Sequence, residues 1–410
     1  MRLMSASRWL LYAVFGVLAS LALLATSRSA SASLFSGAGS DSSGSAVVSI
    51  AAGAYSGYAL VSDGQVWAWG DDLEGQIGVA GQWYQTTLPV EVGGIRGATA
   101  VAGGQNTGYA LMRDGTVWAW GDNSQDELGN PADGSRQVPV QVHPLSKVVA
   151  LDAGAFSVYA LRRDGTVWAW GDNSFGQLGT GNPDPAPGAP HELTRLAGVT
   201  TLVGGASNGY ALMRDGTVWA WGDNSFGQLG VPPCTSSGGA VPTCLFSNVP
   251  VQVPRIAGAV ALASGWDTAY ALLGNGTVWA WGDNSFGQLG SGTHRSSGST
   301  PMRVRGLDGI VAIAAGSETG YAIDRDGDLW AWGYGAYGQL GDGSAANSVA
   351  PVRVRKVSHV VEVAGGGDMA YALDRQGTVW AWGYGGYGQL GDGSLVSLDV
   401  PTPVIGLPSR

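Results

Sequence analysis

The tetrapeptide Trp-Ala-Trp-Gly recurs seven times, starting at Trp67, Trp118, Trp168, Trp219, Trp279, Trp330 and Trp380. The intervals are 51, 50, 51, 60, 51 and 50 residues. A fixed period of this length restricts the chain to a solenoid, a propeller or an array, because one unit alone cannot bury its apolar face. The text within a period decides among them. Unit 1 reads "VVSIAAG", "AYS", "GYALVSDGQVWAWG", a Gly-rich loop and "LPVEV". Short runs of β-branched and aromatic residues punctuated by Gly are strands, and the Asp-Gly pair marks a tight hairpin turn that needs positive φ. Four strands per unit, seven units and no helical periodicity specify an all-β fold, a seven-bladed β-propeller of four-stranded blades in a single closed ring. The fourth strand carries Pro89, Pro139, Pro190, Pro250, Pro301, Pro351 and Pro401. Proline gives no donor to a ladder, so these positions are expected at or just before the strand start.

The propeller is expected over 46–410, with units at about 46–97, 98–147, 148–198, 199–258, 259–309, 310–358 and 359–410. Ahead of it, Arg2 and Arg8 precede the apolar run "WLLYAVFGVLASLALLAT" and the small-residue site Ala30-Ser31-Ala32. This is the pattern of a secretory signal over 1–32, cut near Ala32, with an uncleaved membrane anchor as the alternative. Cleavage removes three arginines and takes the net charge from −10 to −13. Residues 33–45 read as a flexible Ser/Gly/Ala lead-in. With only two lysines, Lys147 and Lys356, and a net acidic balance, the chain has no electrostatic footprint for nucleic acid or anionic lipid. After cleavage, an exported monomer without a membrane span is expected.

The units resemble regulator-of-chromosome-condensation repeats. The shared pattern is AxG, then xAL, DGxV, WG and NxxGQLG, and it runs across about 46–404. That family folds as a seven-bladed propeller, which agrees with the strand count. Its eukaryotic members usually place His at the third position of a three-residue loop. Here that position holds Ser56, Thr107, Ser157, Asn208, Thr268, Thr319 and Met369. Some family members are nuclear nucleotide-exchange factors with a basic tail. A secretory signal and the absence of a basic segment argue against that activity here.

The repeated phrase "VWAWGDNSFGQLG" reads as scaffold: Trp67 and Trp69 share one strand face, Ala68 takes the other, and stacked blades bury both. Function is then expected where the copies disagree, in the triplets between strands 1 and 2. These are Ala54-Tyr55-Ser56, Gln105-Asn106-Thr107, Ala155-Phe156-Ser157, Ala206-Ser207-Asn208, Trp266-Asp267-Thr268, Ser317-Glu318-Thr319 and Gly367-Asp368-Met369. Tyr55, Asn106, Phe156, Asn208, Trp266, Asp267, Glu318 and Asp368 are the candidate partner-binding residues, because large aromatics on a rigid rim dominate protein–protein contacts. A more distant resemblance, to the secreted propeller-type β-lactamase inhibitory proteins, implies binding through the same triplets. Only two middle positions here are aromatic, so that target does not carry over. The insertion 231–248 contains the only cysteines, Cys234 and Cys244, most simply a loop-closing disulfide in an exported protein.

Catalytic motifs are missing. His143, His191, His294 and His359 lack zinc spacing, and there is no nucleophile elbow, P-loop or dinucleotide fingerprint. "DRDGD" (324–328) reads as a hairpin turn rather than a calcium loop, and a cation shared by Asp267, Glu318 and Asp368 is only a weak alternative. No cofactor, metal site or catalytic residue is expected. The sequence therefore points to a non-catalytic scaffold that binds a macromolecule, a protein first. Carbohydrate or envelope polymer on Tyr55, Phe156 and Trp266 is the first alternative, and nucleotide-exchange activity the second.

Overall fold

The computed structural model describes residues 45–409, apart from 82–83, 131–133, 183–187, 233–244 and 295–297. The signal segment, most of the lead-in and both cysteines lie outside the described residues. No described helix is long and apolar enough to cross a membrane.

The described chain forms seven four-stranded antiparallel sheets, each built from strands consecutive in sequence. In blade 1 these are β1 (Val47–Ala52), β2 (Ser56–Val61), β3 (Val66–Asp71) and β4 (Gln85–Glu91), paired in that order. The β2–β3 turn shows why Asp-Gly recurs. Val61 N–H bonds the Gln65 carbonyl, Gly64 N–H bonds the Val61 carbonyl, and Gly64 alone takes positive φ, at 85°. Asp63 caps the turn through Gln65 N–H.

Six of the seven prolines lie within the fourth strand rather than at its start. In blade 1 the β3–β4 register jumps between Ala68↔Val90 and Gly70↔Thr86, and Pro89 sits in that bulge. The outermost strand is bulged where no ladder donor is needed, so proline is tolerated there. Pro190 alone precedes its strand, which is reduced to His191–Glu192.

The two tryptophans of each phrase have different fates. The second (Trp69, Trp120, Trp170, Trp221, Trp281, Trp332, Trp382) is completely buried, whereas the first is only half-buried. The expectation that both faces are sealed therefore holds for the inner ring only. Each inner indole N–H donates at 2.8–2.9 Å to the carbonyl of the Gln (Glu127 in blade 2) that stands two residues before the last Gly of the preceding blade's loop. That carbonyl also accepts the hydroxyl of a buried tyrosine from its own blade, as Tyr58 does onto Gln76. The joint satisfies the indole N–H and the hydroxyl of the fully buried Trp and Tyr rings, which is the condition for burying them. Blade 7 meets blade 1 through the same joint, and Val47, Ile50 and Trp69 pack with Met369, Tyr371 and Leu390. Closure thus needs no strand exchanged between the ends of the described chain.

The first strands surround a central cavity of about 530 Å³, walled mostly by Ala and Gly, with Ser49, Asp152 and Glu362 on its lining. Ser49 Oγ donates to Glu362 Oε1 at 2.8 Å, bridging blades 1 and 7.

Candidate partner-binding face

Antiparallel order puts the β1–β2 triplets and the β3–β4 loops at the same end of the ring. Hydrogen bonds lock them together. The carbonyl of each middle triplet residue accepts the N–H that leaves strand 3: Asp71 to Tyr55, Asp122 to Asn106, Asp172 to Phe156, Asp223 to Ser207, Asp283 to Asp267, Tyr334 to Glu318 and Tyr384 to Asp368. The glycine before each donor has φ near 100°, and a Cβ on Gly70 would lie 2.3 Å from the Tyr55 carbonyl oxygen, so only Gly fits. At the inner rim, first-position residues bond from blade to blade: Ala54 to Gln105, Gln105 to Ala155, Trp266 to Ser317, and Gly367 to Ala54. A rim tied in both directions loses little conformational freedom when it binds.

The third triplet position belongs to the core. Ser56, Thr107, Ser157, Asn208, Thr268, Thr319 and Met369 are all buried, and the third residue begins strand 2. Asn208 Nδ2 donates to the Asp223 carbonyl, as Thr268 and Thr319 hydroxyls do to Asp283 and Tyr334. Asn208 therefore presents no surface to a partner, and its placement among the contact residues is corrected. The other candidates keep some surface: Tyr55, Asn106, Phe156, Asp267, Glu318 and Asp368 are half-buried, and Trp266 is 44% exposed. They do not form one patch.

What unites part of them is a feature inside the repeated phrase. In units 3 to 5 the loop reads "GDNSFGQLG", and the same Asp also stands in units 1 and 2. In units 6 and 7 the loop becomes "GYGAYGQLG" and "GYGGYGQLG". The replacing tyrosines form a chain of rings: Phe286–Tyr334 (4.8 Å between centroids), Tyr334–Tyr337 (6.1 Å), Tyr337–Tyr384 (5.1 Å), Tyr384–Tyr387 (5.8 Å) and Tyr387–Tyr55 (5.3 Å). The result is an aromatic crescent across blades 5, 6, 7 and 1, with Tyr337 and Tyr387 well exposed. The signal for it was in the sequence, in the loss of Asp-Asn from two copies.

The crescent costs the scaffold hydrogen bonds. In the standard loop the Gln side chain donates to its own blade's Asp, as Gln177 does to Asp172 at 2.7 Å and Gln228 to Asp223 at 2.8 Å. Gln228 also reaches Asp267 of the next blade at 3.1 Å. In blade 6 the own-blade Asp is Tyr334, and Gln339 reaches only Asp368 of the next blade, at 3.3 Å. In blade 7 both acceptor positions are tyrosines, Tyr384 and Tyr55, and the buried Gln389 Nε2 has no partner. An unpaired buried donor costs about 1–3 kcal/mol. Sequences break their own structural rule mostly where function requires it.

Beside the rings stand Asp267, Glu318 and Asp368, one per blade. Among the described residues no cation pairs with any of them. Burial, with Asp223 and Asp283 nearby, pushes the Asp267 carboxyl up to about 6. Burial together with Asp283, Asp368 and Asp267 pushes Glu318 up to about 7. Burial also raises Asp368, and it raises the Tyr55 hydroxyl with Asp368 adding to it. Among the described residues no group of three His, Cys, Asp or Glu, these three carboxylates included, converges as a set of metal ligands. "DRDGD" is a hairpin turn in which Asp324 accepts the Asp326 and Asp328 N–H groups.

The RCC1-like domain model matches residues 25–309, and the RCC1 repeat model matches 326–373 and 376–410. The ultraviolet-B receptor UVR8 of Arabidopsis thaliana is 31% identical over 166 residues, 39% of this chain and 36% of that receptor. The human E3 ubiquitin-protein ligase HERC2 is 29% identical over 311 residues, 73% of this chain and 6% of the ligase. The chain thus spans well under two thirds of both relatives. Among solved structures, yeast RCC1 (Prp20) bound to Kap60 superposes with a TM-score of 0.75 at 22% identity, covering 92% of this chain and 91% of that one. With the blade count, the closed ring and a model match over most of its length, the chain belongs to the RCC1-like domain family.

Proposed function

We propose that this chain is an exported, non-catalytic propeller scaffold that binds a macromolecular partner, a protein, through the loops of its triplet face. The observation that carries the reading is the crescent, where the repeat gives up internal hydrogen bonds to place aromatic rings and unpaired carboxylates on a rigid rim. Aromatic rings held on a rigid rim, with polar groups beside them, are the residue types that dominate protein-contact hot spots and their borders. A protein of the same fold, yeast RCC1 (Prp20), is bound to another protein, Kap60, in its structure. The E3 ligase relative shares only 6% of its length with this chain, so its activity supports nothing here. Export rests on the n-region, apolar run and Ala30-Ser31-Ala32 site, with cleavage near Ala32. The insertion's Cys234 and Cys244 then form a disulfide in an oxidising compartment.

The exposed Trp266, at the mouth of the central cavity, supports a second reading in which a sugar ring stacks on this face. Affinity capture separates the two. The immobilised chain, a Tyr337→Ala/Tyr387→Ala form and a Trp266→Ala form are exposed to envelope and culture-fluid extracts of the source organism. A protein retained by the first and lost by the second supports protein binding at the crescent. Retention of glycan alone, lost with Trp266, supports the sugar reading, and retention indifferent to both variants contradicts this face as the site.

A further inference from the structure

We infer that the crescent takes an extended polypeptide segment bearing lysine or arginine side chains. This rests on the reading of the face as a protein-binding surface and adds the partner's chemistry.

Three observations converge on it. Among the described residues no cation pairs with the carboxylates Asp267, Glu318 and Asp368, which follow one another around three blades without meeting at a point. A single small cation needs converging ligands, whereas a line of separated anions suits cations spaced along a chain. The rings stand beside that line. Tyr334 N–H bonds the Glu318 carbonyl and Tyr384 N–H the Asp368 carbonyl, which sets a tyrosine beside each of these two acids, and the Tyr334 and Tyr55 hydroxyls are near enough to the carboxylates to feel their charge. Cations gain from both partners, since an ammonium or guanidinium is attracted to a ring face as well as to a carboxylate. Finally, Gln389 is completely buried, and its amide donor has no acceptor. By the repeat, this donor is aimed at the next blade's middle triplet residue, as Gln228 is at Asp267 and Gln339 at Asp368. That residue is Tyr55, within the crescent. Where the Tyr55 ring gives way, a main-chain carbonyl of a bound segment supplies the acceptor that Tyr55 and Tyr384 displaced, and a simple organic ammonium has none to give. An approaching cation also offsets the mutual repulsion among Glu318, Asp267 and their acidic neighbours.

The test is calorimetric titration at low ionic strength and pH 8, with hexalysine as probe and hexaglutamate and a Ser-Gly hexapeptide as controls. Three forms of the full chain are compared: wild type, Asp267→Asn/Glu318→Gln/Asp368→Asn, and Asp114→Asn/Asp164→Asn/Asp215→Asn. The last removes the same charge from hairpin turns on the opposite face, where Asn275 already fills the equivalent place in unit 5. Hexalysine is expected to bind wild type and the opposite-face variant within twofold of one another and the crescent variant at least tenfold more weakly. A Tyr337→Leu/Tyr387→Leu form, with unchanged thermal unfolding, is expected to bind severalfold more weakly than wild type. Equal weakening in both charge variants means general attraction to an acidic protein and overturns the inference, as does absence of binding or binding indifferent to the crescent. If hexalysine fails while the captured protein still depends on Tyr337 and Tyr387, the basic-segment inference falls and the protein-binding reading stands. If both fail, both fall.

Discussion

The Trp69 indole N–H donates to the main-chain carbonyl of Gln389 at 2.9 Å, across 320 residues of sequence. The same bond joins Trp221 to Gln177 at 2.8 Å across only 44 residues. The two joints are chemically alike, so closing the ring uses the same contact that joins neighbours. Trp69→Phe and Trp221→Phe each remove one buried hydrogen bond while keeping a ring, and the carbonyls keep their tyrosine donors Tyr371 and Tyr159. Each variant is expected to lose about 2–3 kcal/mol in denaturant unfolding, from the hydrogen bond and from the space the smaller ring leaves. A far smaller loss for Trp69→Phe would show that the ring is open in solution.

Stability is expected to fall as pH rises from 5 to 8. Burial raises the folded-state values of Glu362 and Asp152, both at the central cavity, to about 7. Glu127 also rises to about 7, Glu318 joins it, and Asp72 and Asp267 rise to about 6. A carboxyl whose folded value lies above its unfolded one holds a proton in the folded state that the unfolded chain has released. The stabilisation is therefore complete below about pH 4 and is lost as pH climbs through 6 to 7. Glu362→Gln keeps an acceptor for Ser49 and removes the titration. It is expected to raise stability at pH 8 by on the order of 1–2 kcal/mol and to leave it nearly unchanged at pH 4.5. Thermal unfolding across pH checks both, and a wild type that gains stability from pH 5 to 8 contradicts the assignment.

Asn208 separates core from contact surface. Asn208→Ala removes the bond to the Asp223 carbonyl inside the ring. A loss of about 1–2 kcal/mol in unfolding is expected, with partner or hexalysine affinity unchanged at temperatures where the variant is folded. A stable Asn208→Ala protein with weakened binding would return this residue to the contact set.

Binding at the crescent should strengthen as pH rises through 6 to 7. Glu318 faces Asp283, Asp267, Asp368 and Tyr334, Asp267 faces Asp223, Asp283 and the Gln228 amide, and Asp368 faces the Gln339 amide, Tyr55 and Tyr334. No cation stands among these neighbours. Asp267 and Glu318 therefore lose charge as pH falls toward 5, and with it goes attraction for a cationic segment. Titration at pH 5.5 and 8 is expected to show several-fold weaker binding at the lower pH, and stronger binding at pH 5.5 would contradict the role of these carboxylates.

The fold was legible because one unit was written seven times, and each copy carried the same strand text and the same Asp-Gly turn. Repetition also hid things. Proline in the fourth strand looks like a boundary until the bulge opposite Trp69 is seen to leave its missing donor unneeded. Trp67 and Trp69 are indistinguishable in the text, yet only Trp69 faces the neighbouring blade's carbonyl. The triplets looked uniform in purpose, although Ser56, Asn208 and Thr319 begin a buried strand. Treating "GDNSFGQLG" as pure scaffold concealed Tyr334, Tyr337, Tyr384 and Tyr387. Their proximity to Tyr55 depends on ring closure, which joins unit 7 to unit 1 and brings together residues more than 300 positions apart.

The measurement that bears most directly on the whole account is side-chain oxidative footprinting of the protein alone and with the partner it captures. Tyr337, Tyr387 and Trp266, all exposed on the triplet face, are predicted to be protected in the complex. Ile405, 49% exposed beyond the last strand at the opposite end, is predicted to be modified equally in both. Protection of Ile405 with Tyr337 and Tyr387 unchanged would place the partner on the other face and contradict the account.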